Sequence, residues 1–399
     1  MNTLTFRIGT ALLTFIIGVG IATAWVLNSR QPVIAPLPIS DAPGALNGQA
    51  LEMVFVLDTT GSMGGLIEGA KQRIWGIVNE VMQSSSHPAV RIGLVAYRDR
   101  GDQYVTQVLP LTNDLDRVYS TLMDYQAGGG GDLPEDVRQA LADGVTGAGW
   151  SQSSSHVAQI IFLVGDAPPH QDYPGEQDTG TTAGEAVQRG MINNTIQCGN
   201  VAGTREVWQA IAQQGQGQYF AIAQDGGVQA ITTPYDEQLG QLAGKLGGTY
   251  VAYGGGAGAE GEHYRLIAKE RADVAEAKVA TTAAPSARAD RALNKVVNSD
   301  AYVGDLLQSI ENGSVKLEAV KEEDLPADLR RLSPEARKQE IEKRLNERRE
   351  LRRQIVALSK QRDQFVAAER KKQNGGKQSG FDAAVAEALK DQLSRKGIK

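Results

Sequence analysis

Asp58, Thr60 and Ser62 stand at alternate positions directly after the apolar run Val54-Phe55-Val56-Leu57. A buried strand that ends in an acidic, hydroxyl-rich loop can aim three oxygens at one point. Oxygen donors of this kind suit hard cations such as Mg²⁺, Ca²⁺ or Mn²⁺ rather than soft metals. The same residues also fit a strand end followed by a Thr/Ser helix cap, which needs no metal. Two further segments repeat the pattern. Ile160-Ile161-Phe162-Leu163-Val164-Gly165-Asp166 is a second apolar run ending in a carboxylate, and Ala167-Pro168-Pro169-His170 follows it. Gly128-Gly129-Gly130-Gly131-Asp132-Leu133-Pro134-Glu135-Asp136 lets backbone approach a ligand closely and puts acids at the start of the next helix. Taken singly, Asp166 reads as a turn cap and the glycine run as a linker. Three such segments at one sheet edge favour a metal site.

The elements that must position these residues alternate along the chain. The pattern predicts strands at 53–58, 90–97, 159–164, 195–198 and 219–222, with 104–109 pairing beside the second. Helical spacing predicts helices at 66–82, 115–125, 137–145, 207–212 and 239–246, and a last short strand at 251–253. Alternation of this kind indicates an α/β domain, a mostly parallel sheet with helices on both faces. Ligands of such folds bind beyond the carboxyl ends of the strands, where Asp58 and Asp166 fall. The domain is expected to span 51–254. A Gly/Ala-rich linker with short helices then covers 255–332, interrupted by Pro285. Ser333-Pro334-Glu335 starts a long charged helix over 333–373, and Asn374-Gly375-Gly376 stops it, leaving a tail at 374–399 with a short helix. Within the long helix Ile341, Leu351, Ile355, Leu358 and Phe365 form a stripe interrupted by Arg344, Arg348 and Arg362. That is a poor heptad, so a solvated charged helix is expected rather than a coiled coil.

Composition narrows the functional classes. A formal charge of −6 argues against bulk nucleic-acid binding. Cys198 is the only cysteine, which excludes an internal disulfide and a thiolate metal site, and its place in a strand-like run marks a small buried residue rather than a nucleophile. After the short segment 1–7, residues 8–27 carry no charged side chain, and about 20 such residues suffice to span a bilayer. Arg7 precedes the run and Trp25 lies near its far end, as expected for an uncleaved anchor with an extracytoplasmic body. Secretion after cleavage near Ala24 is the alternative. Residues 28–50, with Pro32, Pro36, Pro38 and Pro43, read as an extended spacer.

Asp58-x-Thr60-x-Ser62, the acidic glycine loop and the Asp166 strand end resemble the three metal-site loops of a von Willebrand factor A domain. The resemblance covers about 51–253 and implies a Rossmann-like fold. It also implies that Thr60 and Ser62 ligate a divalent cation, Mg²⁺ foremost, directly, while Asp58 and Asp166 hold waters around it. A ligand carboxylate would complete the sphere. Such domains usually place a threonine in the third loop. Here Asp132 is the nearest replacement, with Glu135 as the other candidate, and a direct carboxylate there would hold the cation tightly while weakening acidic ligands. His170 and Asp99 are further candidates for the metal or its rim, and Asp102, near the same strand end, for the rim. Arg100-Gly101-Asp102 is discounted as an adhesive motif, since short motifs recur by chance.

The expected function is a non-catalytic, membrane-anchored binding module that engages a protein partner through its metal edge, with a second partner possible for the C-terminal helix. One alternative is a scaffold whose basic helical tail carries the interaction, toward acidic lipids or proteins, while the metal is structural. A lesser alternative is a Mg²⁺-dependent hydrolase. No phosphate-cradling loop and no Gly-x-Ser-x-Gly elbow supports the last.

Overall fold

The computed structural model describes residues 49–83, 87–227, 231–298, 304–374 and 380–398. The expected anchor at 8–27 and nearly all of the spacer lie outside the described residues. Among the described residues, no helix is long and apolar enough to cross a membrane.

Six strands form one sheet in the order β3-β2-β1-β4-β5-β6. They are β1 (Ala50–Asp58), β2 (Ala89–Tyr97), β3 (Thr106–Thr112), β4 (Val157–Gly165), β5 (Met191–Cys198) and β6 (Gln216–Ile222). Only the β2–β3 pair is antiparallel; the other pairs are parallel. β1 and β4 are buried along their whole lengths, which explains their unbroken apolar runs. The strand order reverses direction between β1 and β4, so the crevice of this fold opens at their carboxyl ends. Asp58 is the last residue of β1, and Asp166 follows the last residue of β4.

Helices α3 (Val137–Thr146), α4 (Thr179–Gln188) and α5 (Thr204–Gln214) cover one face of the sheet. The other face is covered by α1 (Gly64–Met82), α2 (Leu115–Asp124) and α12 (Phe381–Arg395). The last of these comes from the far end of the chain, where the sequence led us to expect a short helix in a tail rather than part of the sheet domain. Phe381 packs on Phe55 of β1 with ring centroids 5.9 Å apart, and Phe55 stacks on Phe162 of β4 at 5.3 Å. Asn194 of β5 and Gln392 of α12 exchange two buried hydrogen bonds of 3.0 and 2.6 Å. The C-terminal helix therefore completes the core of the sheet domain.

The intervening segment forms a second helical layer. It comprises α6 (Asp236–Gly248), α7 (Gly258–Thr282), α8 (Pro285–Val297), α9 (Leu306–Glu311), α10 (Ala327–Arg330) and α11 (Pro334–Asn374). α8 lies along α1, where Asn79 bonds both Asn294 and the backbone of Asp290. The long charged helix α11 differs from the solvated helix expected. Ile355 is buried with α6 and α8, and Ile341 and Leu345 are buried with α9 and α10. The arginines that spoil its heptad explain the docking. Arg348 pairs with Asp305, and Arg362 reaches Asp236 at 2.7 Å and Asp290 at 2.8 Å. A buried ion pair of this kind supplies register, and breaking one side leaves an uncompensated charge.

Phe381→Ala should lower unfolding free energy by about 3–5 kcal/mol, the usual cost of deleting a buried aromatic ring. Urea unfolding followed by far-ultraviolet circular dichroism checks this, since a dispensable tail would leave the transition unmoved.

Candidate functional site

The loop after β1 is fixed by Asp58 itself. Its side chain is fully buried, and Oδ1 accepts hydrogen bonds from the Thr60 backbone N–H at 2.8 Å and from Thr60 Oγ1 at 2.7 Å. That Asx-type turn brings Thr60 Oγ1 to 3.5 Å from Ser62 Oγ, on a single 3₁₀ turn leading into α1. Thr59 points the other way and donates to the Tyr97 carbonyl at 2.8 Å. Gly165 is required beside Asp58, because a Cβ there would lie 2.3 Å from the Tyr97 hydroxyl and 3.0 Å from Asp58 Oδ2.

The glycine loop is drawn onto this turn. Gly128 N–H donates to the Thr59 carbonyl, and Gly61 N–H donates to the Gly129 carbonyl. Gly129 and Gly130 both have positive φ, +78° and +76°, which only glycine adopts without strain. A Cβ on Gly130 would sit 3.0 Å from Glu135 Oε1 and 3.2 Å from the Thr60 Cβ. Glu135 thus flanks the Asp58 turn. Its backbone is held against the loop after β4, with Glu135 N–H donating to the Pro168 carbonyl and His170 N–H donating to the Glu135 carbonyl. Asp136, next in sequence, is spent as the cap of α3.

In the loop after β4 Asp166 is buried, and its Oδ2 accepts from Gln224 Nε2 at 2.6 Å. Its backbone carbonyl accepts from Thr204 Oγ1 at 3.1 Å. Asp132 lies apart from this group. Its side chain is 61% exposed and its carboxylate is 3.6 Å from His170 Nε2. Asp99 lies there too, at 3.5 Å from the same nitrogen. The structure therefore gathers the sequence-derived residues into two groups, one of Asp58, Thr60, Ser62, Asp166 and Glu135, and one of Asp99, Asp132 and His170.

The electrostatics follow from burial. Asp58 is pushed up from its ordinary 3.8 to about 7, by burial first and then by the charge of Asp166, against the lowering effect of the Thr60 bonds. Glu135 is pushed up to about 9, by burial and then by Asp58, Asp99, Asp102 and Asp166. Among the described residues, Asp58 Oδ2 and Glu135 Oε2 are buried without a hydrogen-bond partner. Buried carboxylate oxygens are ordinarily paired or bound to metal. Two orphaned carboxylate oxygens beside two hydroxyls form a hard donor set, which fits a divalent cation such as Mg²⁺.

Two supporting residues, Arg98 and Gln224, were not foreseen, and a third, Asp102, was expected only to shape the rim. Arg98, buried directly after β2, donates from Nε to the Thr59 carbonyl at 3.1 Å and from Nη2 to the Gln126 carbonyl at 2.6 Å. It ties the first loop to the glycine loop, and a charged residue at the end of an apolar strand is the signal that points to it. Gln224 gives no such signal. Asp102, the acid of the discounted Arg100-Gly101-Asp102 tripeptide, accepts from Gly130 N–H at 3.0 Å and so shapes the glycine loop. Cys198 is buried, and burial pushes its thiol pKa up, as befits an inert packing residue.

An open, mostly parallel sheet with helices on both faces and oxygen-donor loops at its switch point defines a Rossmann-like α/β domain. Residues 52–234 match the family model of the von Willebrand factor A domain, which supports such a domain over that segment. One curated relative, an ariadne-like RING finger protein of Acanthamoeba polyphaga mimivirus, is 27% identical over 124 residues. That stretch is 31% of this chain and spans only 12% of the relative. Similar solved structures include BatB of Bacteroides thetaiotaomicron, with 15% identity, 44% of this chain and 91% of that chain covered and a TM-score of 0.30. Mussel proximal thread matrix protein 1, solved with a zinc-occupied metal motif, has 11% identity, 45% and 43% coverage and a TM-score of 0.33.

With metal chelated, the protein should lose stability as pH rises. Asp58 binds its proton more tightly folded than unfolded, so its stabilising contribution is full below about pH 4 and is lost as pH passes through about 7. The whole swing is on the order of 4 kcal/mol, at 1.36 kcal/mol per pKa unit. Denaturant unfolding in EDTA between pH 4 and 8, comparing wild type with Asp58→Asn, measures it. The variant should lose the Asp58 share of that dependence and keep the share set by Glu135, whose carboxyl is pushed up to about 9.

Proposed function

We propose that the carboxyl edge of the sheet is a divalent-cation site through which this domain binds a protein partner without chemistry. The observation that carries the reading is the pair of buried, unpartnered carboxylate oxygens on Asp58 and Glu135 at the strand switch point. Thr60, Ser62, Asp58, Asp166 and Glu135 would hold the cation, Mg²⁺ by the hardness of the donors. Glu135 is favoured over Asp132 as the third-loop carboxylate, because it is buried beside the Asp58 turn whereas Asp132 is exposed and turned toward His170. When bound, the cation would offer an electropositive point to an incoming oxygen ligand. The charge of Glu135 would leave it less attractive to a carboxylate than an all-hydroxyl third loop.

The apolar run at 8–27 supports an anchored body displayed outside the cytoplasm. The reading in which a basic helical tail does the binding is less favoured. Arg337, Arg344, Arg348, Arg352 and Arg362 of α11 are all engaged by carboxylates of this same chain. Their charge holds the helix in place and is not displayed for acidic lipids.

Saturating Mg²⁺ should raise the thermal midpoint of the EDTA-treated protein, by about 2.7 kcal/mol of stability when its concentration is a hundredfold above Kd. The Thr60→Ala, Ser62→Ala double variant should show no such rise. Crosslinking in the native membrane should then capture a partner with wild type, and EDTA or the double variant should abolish the capture. Cation-independent capture by wild type and variant alike would contradict the proposed role.

A further inference from the structure

We propose a second cation site on the rim of the first, formed by Asp99, Asp132 and His170 and suited to a nitrogen-accepting divalent metal such as Zn²⁺. Each residue comes from a different loop. Asp99 follows β2, Asp132 lies in the glycine loop and His170 follows β4. One ligand atom from each falls within 4.8 Å of the other two.

The histidine carries the argument. Its Nδ1 lies 3.0 Å from Asp172 Oδ1, and the ring stacks on Tyr173 with centroids 4.3 Å apart. A histidine whose far nitrogen donates to a carboxylate presents the lone pair of the other nitrogen, which is the usual arrangement of a metal-ligating imidazole. Here that other nitrogen, Nε2, is buried without a hydrogen-bond partner among the described residues. It points between two carboxylates, 3.5 Å from Asp99 Oδ2 and 3.6 Å from Asp132 Oδ2. A lone pair facing two carboxylates is repelled unless a cation stands between them. A proton is one such cation, since the imidazole pKa, lowered by burial, is raised overall by Asp172, Asp99 and Asp132, and a metal here displaces it. Ligands about 2.0–2.1 Å from a tetrahedral metal are separated by about 3.3–3.4 Å, close to the distances found.

Asp99 is only 6% exposed, and its carboxylate accepts from the Tyr173 hydroxyl at 2.7 Å, which orients it and leaves lone pairs for a metal. Arg100 covers the Tyr173 ring at 4.3 Å and so fixes the base of the group. Three protein ligands leave a fourth position of a tetrahedral ion open beside exposed Asp132. The imidazole separates this site chemically from the all-oxygen group around Asp58, and its existence does not depend on what that group binds.

Co²⁺ titration of the full-length chain in excess Mg²⁺ tests the proposal, with Co²⁺ as the probe of nitrogen ligation. One equivalent should bind with the visible absorption of a four- or five-coordinate ion, and Zn²⁺ should displace it. His170→Gln should abolish that absorption, and Asp132→Asn, an exposed and fold-neutral change, should weaken binding at least tenfold. The Thr60→Ala, Ser62→Ala variant should retain it. Circular dichroism of each variant checks the fold. Unaltered Co²⁺ binding in both His170→Gln and Asp132→Asn, or no Co²⁺ binding by wild type, overturns the proposal. Loss of Co²⁺ binding in a folded Thr60→Ala, Ser62→Ala variant overturns it as well, since one shared site would then suffice. None of these results bears on Mg²⁺ stabilisation, which tests the first site separately.

Discussion

Burying carboxylates at the end of two central parallel strands is the constraint on which this molecule turns. A parallel sheet whose order reverses between β1 and β4 opens a crevice at their carboxyl ends, and this chain fills it with Asp58, Asp166 and Glu135. Unpaired charge in that position is expensive, and the raised pKa values of Asp58 and Glu135 register the expense. Much of the neighbouring structure holds the group together against its own repulsion. Gly165 makes room for Asp58, the left-handed Gly129 and Gly130 carry the loop over Thr60, and Gln224 holds Asp166. Arg98 binds two of the loops by their carbonyls, so its cation is placed behind the site rather than in it.

The sheet that supports this edge is completed by the two ends of the described chain. β1 lies near its start, and α12, more than 300 residues later, covers Phe55 and Phe162. The helices between them return the chain to the sheet. Gly226, two residues beyond Gln224, accepts a hydrogen bond from the Phe381 backbone N–H where α12 begins. Part of the charge of α11 is spent on that layer, through Arg348 to Asp305 and Arg362 to Asp236 and Asp290. A composition that looks like a solvated basic helix is therefore a docked one.

Much of the fold was legible because its signals are local. The apolar runs of β1 and β4 are continuous because both strands are buried on both faces, and a carboxylate at the end of each marks the site. The Ser333-Pro334-Glu335 start of α11 and the break at Pro285 between α7 and α8 are likewise set by neighbours in sequence. What could not be read depends on distance. Asp132 and Glu135 are three residues apart, and it is the pairing of the Glu135 backbone with Pro168 and His170, distant in sequence, that sets Glu135 beside the Asp58 turn. α12 carries an ordinary amphipathic pattern that says nothing of its partner 300 residues away. The docking of α11 depends on carboxylates in α6, α8 and the start of α9, which no heptad count of α11 alone reveals.

The account rests on the claim that the edge carboxylates keep protons only until a cation takes their place. Calorimetry of Mg²⁺ binding at pH 7, repeated in buffers of different ionisation enthalpy, measures the protons released. With Asp58 near 7 and Glu135 near 9, binding should expel roughly one to two protons per ion. Mg²⁺ binding with no proton release, or no binding at millimolar Mg²⁺, would contradict it.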